Sequence, residues 1–129
     1  MYLPISLAAA AAAAFINLWL SIRIGMVRSA ANISIGDGGN EELVRRMRAQ
    51  ANFIENTPIV LILIAVIEAS RPSNPYLAGI AGLYILARIA HGVGMDGGPF
   101  RFGRMIGTMI TMITLLGLAV WAGTIALDM

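Results

Sequence analysis

Four apolar stretches run through the chain: Leu3 to about Ile22, about Asn52 to Ala69, about Tyr76 to Met95, and about Met105 to Leu127. Each is close to the roughly 20 helical residues that cross about 30 Å of bilayer hydrocarbon. Lipid offers backbone groups no partner, so each stretch must bond internally as a helix. The joining segments are short: a polar segment over 28–50, a tight turn from Arg71 to Pro75, and a Gly/Pro link from Asp96 to Gly103. Short connections favour antiparallel neighbours. The expected fold is all-α, an up-down-up-down four-helix membrane bundle forming a single domain over residues 1–129, with no soluble domain, long repeat or low-complexity tail.

Composition agrees with that constraint. Hydrophobic residues make up 58% of the chain and charged residues 12%, against roughly 25% charged in a soluble domain. One small soluble core could not hide so much apolar surface. The absence of cysteine removes both a disulfide framework and a thiol nucleophile. All basic residues are arginine, a cation that keeps its charge when partly desolvated and offers a planar fork to carboxylates and phosphates. They are scattered at helix ends rather than gathered in a stripe, which argues against nucleic acid as a partner. The alanine tract at 8–14 could belong to a cleaved signal peptide, but no basic residue precedes Arg23 to form its positive n-region. Arg28, Arg45, Arg46 and Arg48 follow the first span, and Arg101 and Arg104 lie in or beside the third link, whereas the other side has only Arg71. The positive-inside rule then puts both termini on the non-cytoplasmic side.

Polar groups inside such spans are costly and mark functional interiors. On the second helix Arg48, Asn52 and Glu55 fall at i, i+4 and i+7, along one face. Asn56 sits beside them, and Pro58 removes the donor that would pair with the Ile54 carbonyl, an expected kink. Arg88 and His91 stand at i, i+3 on the third helix, while Thr108 and Thr111 continue the face of Arg104 on the fourth. The topology brings these groups to one depth near the cytoplasmic side. The result is an arginine-rich pocket suited to a small, polar, anionic ligand, with Glu55 able to meet an ammonium or lock an arginine. The alternative is an internal staple, Arg48–Glu55 or Arg88–Glu55. Glu68 near Arg71 reads as such a staple, and Arg45 and Arg46 as interfacial anchors that snorkel. His91 has no companion ligands, so no metal site is expected. The segment IGDGGNEELVRRMR (35–48) reads as a glycine turn entering a helix capped by Asn40, with Glu41 and Glu42 at its positive end.

The run RMRAQANFIENTP (46–58) resembles the signature of the MAPEG family, membrane-associated proteins in eicosanoid and glutathione metabolism. IGDGGNEEL (35–43) looks like the first loop of its bacterial members, and RIAH (88–91) is similar to its third-helix motif. The resemblance implies a homotrimer in a bacterial inner membrane. It also implies glutathione as cosubstrate, held in a cleft between subunits that opens to the cytoplasmic side. Arg48, Asn52 and Glu55 occupy glutathione-binding positions, as Gln50 does in some members, and Arg88 and His91 match third-helix pocket residues. Arg104 matches the arginine that stabilises the thiolate, with Arg101 as the alternative across the glycine-containing link. Arg23 is similar in position to a first-helix arginine of the family, although the loop length differs. Met95 replaces a tyrosine common in eicosanoid synthases, which speaks against an eicosanoid-type specificity.

What the resemblance implies is a glutathione-dependent transferase or peroxidase acting on lipophilic electrophiles or lipid hydroperoxides from the bilayer. The alternative is a non-catalytic scaffold that binds glutathione or another anion. A transporter is disfavoured because four spans show no internal repeat. Fusions at the C-terminus are expected to be active with an exported reporter and inactive with a cytoplasmic one; the reverse result would invert the topology.

Overall fold

The computed structural model describes residues 1–72 and 74–129. It contains four long helices: α1 (Pro4–Ala31), α2 (Glu41–Ser70), α3 (Pro75–Gly94) and α4 (Phe102–Leu127). A single 3₁₀ turn, Gly98–Phe100, precedes α4. All four helices are long and apolar enough to cross a membrane. α1 packs mainly on α2 and α3 on α4, while α1 and α4 stand at opposite corners. The turn expected from Arg71 to Pro75 includes Ser73, which lies outside the described residues.

The helices overrun the apolar stretches. α1 continues past Ile22 to Ala31, and there Arg23 pairs with Asp96 and Arg28 donates to the Gly36 carbonyl, both partners beyond the apolar stretches. The Arg28 guanidinium donates to the carbonyls of Ile33 and Gly36, at 3.3 and 2.8 Å, and so closes the end of its own helix. Residues 32–40 then turn the chain through Asn32, Gly36, Gly38 and Gly39, all at positive φ. Asp37 Oδ1 accepts from the Gly39 amide at 2.8 Å. Asn40 caps α2, accepting from the Leu43 amide at 3.0 Å. α2 then runs as one helix through Pro58 to Ser70. Asn74 likewise caps α3, accepting from the amides of Tyr76 and Leu77.

Two apolar clusters fill the interior. Val60, Ile64, Ile67, Leu77, Ala81, Tyr84 and Leu118 make the core of the half remote from the arginines. Ala13, Ile16, Leu20, Ala49 and Phe53 fill the arginine-rich half, with Met95 packed against them. Outside, large apolar side chains such as Phe15, Leu86, Met105, Met109 and Leu116 are exposed. So wide an apolar surface suits lipid rather than water. The α3–α4 contact is the tightest. A Cβ on Gly107 would lie 2.5 Å from His91 Cβ, and one on Gly103 would lie 2.5 Å from the Ala90 carbonyl. Gly107 is therefore used inside the bundle, whereas Gly79 and Gly82 face open space.

Glu68 corrects another expectation. It does not pair with Arg71. It is 2% exposed, and its oxygens accept from the Ile5 and Ser6 amides at 2.9 and 2.8 Å and from Ser6 Oγ at 2.6 Å. α1 has no capping side chain of its own at Leu3, so the carboxylate from α2 caps the positive end of α1 instead. Removing it leaves three donors without an acceptor. Glu68→Ala is expected to lower stability by on the order of 2 kcal/mol, and Ser6→Ala by about half of that. Thermal unfolding in mild detergent measures both, and equal effects would refute the capping role.

Candidate functional site

The arginines divide into two sets. Arg23 and Arg46 are internally neutralised. Arg23 pairs with Asp96 and donates to the Gly92 carbonyl at 3.1 Å, its guanidinium lying 4.8 Å from the centre of the Trp19 ring. Arg46 donates to the Arg23 carbonyl at 3.0 Å, pairs with Glu42 at 3.2 Å, and lies 3.5 Å from Asp96. These two cations and two carboxylates tie the ends of α1, α2 and α3 together. Arg46 is thus a member of an ion-pair network rather than a snorkelling anchor, and only Arg45, loosely paired with exposed Glu41 at 3.7 Å, keeps that description.

The second set carries no counter-charge. Among the described residues, Arg48, Glu55, Arg101 and Arg104 form neither an ion pair nor a side-chain hydrogen bond, and all four are exposed. The expected staples Arg48–Glu55 and Arg88–Glu55 do not form. Arg88 is instead 1% exposed, inside the bundle. Its Nη2 donates to Asn52 Oδ1 at 2.7 Å and its Nη1 to Thr111 Oγ1 at 3.0 Å, so one side chain of α3 links α2 to α4. The Thr111 hydroxyl donates in turn to the Gly107 carbonyl at 2.8 Å, and the Phe53 ring lies 5.8 Å from the guanidinium carbon. His91 is buried beside Gly107.

This link fixes the relation between a stripe of α2 and a stripe of α4. Arg48, Asn52 and Glu55 lie along one face of α2, and Arg104, Thr108 and Thr111 along one face of α4. Arg88 brings Asn52 and Thr111 together at the base of both. Arg104 is two turns from Thr111, so it stands about 10 Å nearer the arginine-rich end. Arg101 ends the 3₁₀ turn, donating its amide to the Gly98 carbonyl at 3.2 Å, and stands just before the first residue of α4. The outcome is a charged strip with a half-buried amide, an exposed carboxylate and surplus guanidinium.

Gln50 is not part of that strip. Two residues from Arg48 is about 200° around a helix, and Gln50 Nε2 accordingly donates to Ser21 Oγ at 2.6 Å on α1. With Ser21, Gly25, Arg28 and Met47 it lines a groove of about 590 Å³ between α1 and α2. The site residues read from the sequence therefore occupy three places: the α2–α4 strip, the interior beneath it, and a groove on the other side of α2.

Sequence reasoning overlooked Tyr84. Its hydroxyl lies 2.8 Å from Thr57 Oγ1, and the residue is fully buried. Tyr84, Arg88 and His91 follow the i, i+4, i+7 spacing, so the face of Arg88 already pointed to it. Asp96 was also overlooked, although it is the acidic residue of the Gly/Pro link.

The model of the MAPEG family matches residues 6–124, nearly the whole chain. A comparison with curated proteins finds no match.

Proposed function

The chain belongs to the MAPEG family, and from that premise, which places it among membrane proteins of a glutathione-related transferase and peroxidase family, we propose that it uses glutathione to attack lipophilic electrophiles or lipid hydroperoxides. The observation that carries this reading is the uncompensated strip of Arg48, Glu55 and Arg104 on membrane-spanning helices. Charge left bare in such a place is expensive and calls for a ligand or a neighbour. Glutathione suits the donor set. Its carboxylates match guanidinium, its ammonium matches the Glu55 carboxylate, and its amide oxygens accept from an amide N–H.

Chemistry at this site needs an anionic sulfur, since a free thiol titrates near 8.5 and only the thiolate attacks readily. Arg104, in the first turn of α4, stands where its own charge and the positive helix end both favour an anion. It lies inside α4 on the Thr108–Thr111 stripe, whereas Arg101 precedes the helix, which favours Arg104 for this role. The protein then needs no nucleophile of its own, in keeping with the absence of cysteine. Exposed Met105, Met109 and Met112 beside that stripe give the apolar reactant an adaptable wall on the lipid side.

The placement of Gln50 bears on assembly. Gln50 and the strip lie on opposite sides of α2, so one ligand touches both only when two subunits meet. A homotrimer with clefts between neighbours satisfies this, and it covers charges that a lone subunit leaves open. Native mass spectrometry in mild detergent is expected to show a trimer; a monomer that binds glutathione would end the shared-cleft proposal.

Steady-state kinetics separate binding from chemistry. Asn52→Ala and Glu55→Gln are expected to raise KM for glutathione by about tenfold, the equivalent of one charged hydrogen bond, with less change in kcat. Arg104→Ala is expected to lower kcat by about tenfold or more while glutathione still binds. That loss shrinks as pH rises towards the thiol's own pKa, because the thiolate then forms unaided. A pH-dependent loss in Arg101→Ala and not in Arg104→Ala would transfer the role to Arg101. Wild-type protein that binds glutathione without thiolate absorbance or turnover would leave a binding scaffold in place of an enzyme.

A further inference from the structure

Arg88 is buried without a carboxylate partner, yet it donates to both Asn52 and Thr111. A guanidinium has five N–H donors and no acceptor. Whatever group of Asn52 meets it must therefore be the carbonyl oxygen, which removes the usual ambiguity over which way an amide is turned. With Oδ1 held inward, Nδ2 is the group left over, and among the described residues it has no hydrogen-bond partner. Asn52 is half-buried and shares its face with exposed Arg48 and Glu55.

We infer that Arg88 is a positioning residue that turns Asn52 into a fixed donor. The Nδ2–H groups face the strip and select an oxygen acceptor on the ligand, a peptide carbonyl or a carboxylate, while the ligand ammonium is left to Glu55. Arg88 itself touches no ligand. Thr111, whose hydroxyl is anchored to the Gly107 carbonyl, holds the other arm of the fork and sets the direction of the guanidinium. This inference rests on glutathione being the ligand, and it assigns which atom of Asn52 recognises it.

Asn52→Asp is the informative variant, because aspartate keeps an acceptor for Arg88 while replacing the outward donor with an oxygen. In the full-length protein in mild detergent, its unfolding midpoint without ligand is expected to hold or rise. Its Kd for glutathione is expected to increase about tenfold or more, as for the loss of one hydrogen bond and the gain of a repelling oxygen. Thr111→Val, which contacts no ligand, is expected to raise that Kd several-fold, and to add nothing further in an Asn52→Ala background.

A lowered midpoint in Asn52→Asp would overturn the clamp, an unchanged Kd would overturn the donor assignment, and additive effects of Thr111→Val and Asn52→Ala would overturn the relay. Wild-type protein that binds no glutathione would defeat the functional proposal and the donor assignment with it. The clamp is then decided on ligand-free midpoints. Asn52→Asp must be tolerated beside Arg88 and strongly destabilising in an Arg88→Gln background. If the Arg88→Gln protein does not fold, the midpoint of Asn52→Asp alone decides.

Discussion

A guanidinium buried in a membrane bundle needs partners in place of bulk water, and among the described residues Arg88 finds neutral acceptors for its two Nη atoms and none for Nε, rather than a carboxylate. Ion pairs in low dielectric are strong, but each partner carries a desolvation cost, and pairing inward would also have spent Glu55. Spreading the charge over an amide oxygen and a hydroxyl leaves Glu55 exposed and unpaired. Three helices converge on that one side chain. It ties the α2 and α4 stripes together by hydrogen bonds to each.

The other arginines follow a division of labour. Arg23 and Arg46 are balanced by Asp96 and Glu42, and this closed set holds the helix ends. Arg48 and Arg104 have no such balance. A sequence lists all of these as one positive surplus, and only the fold sorts structural charge from charge available to a ligand. Part of the surplus read from the sequence is still present once the staple is subtracted, along the strip of α2 and α4.

The helices were legible because lipid imposes a length and a composition on each, and both are local properties. The capping of α2 by Asn40 was legible for the same reason, since cap and amide lie within three residues. Glu68 was not. Its partners are the amides of Ile5 and Ser6, more than sixty residues away, while Arg71, three residues on, offered the local alternative. The stripe of Arg48, Asn52 and Glu55 could be read from spacing, but the direction of Arg88 could not. Spacing places a side chain on a face and leaves open what that face meets. Gln50 shows the reverse error: adjacency in a motif suggested a shared surface, and helical geometry puts it on the other side of α2.

The glycine contacts between α3 and α4 bear on how the molecule comes together. Gly103 and Gly107 bring the two backbones to the limit of approach against Ala90, Ala87 and His91, and small residues of this kind drive association between helices already inserted in lipid. The link between these helices is short, so closing it costs little chain entropy. The last two spans therefore form a natural unit of insertion, able to zip into a hairpin before finding the first two. Arg104 belongs to that hairpin, and its backbone is seated against Gly94.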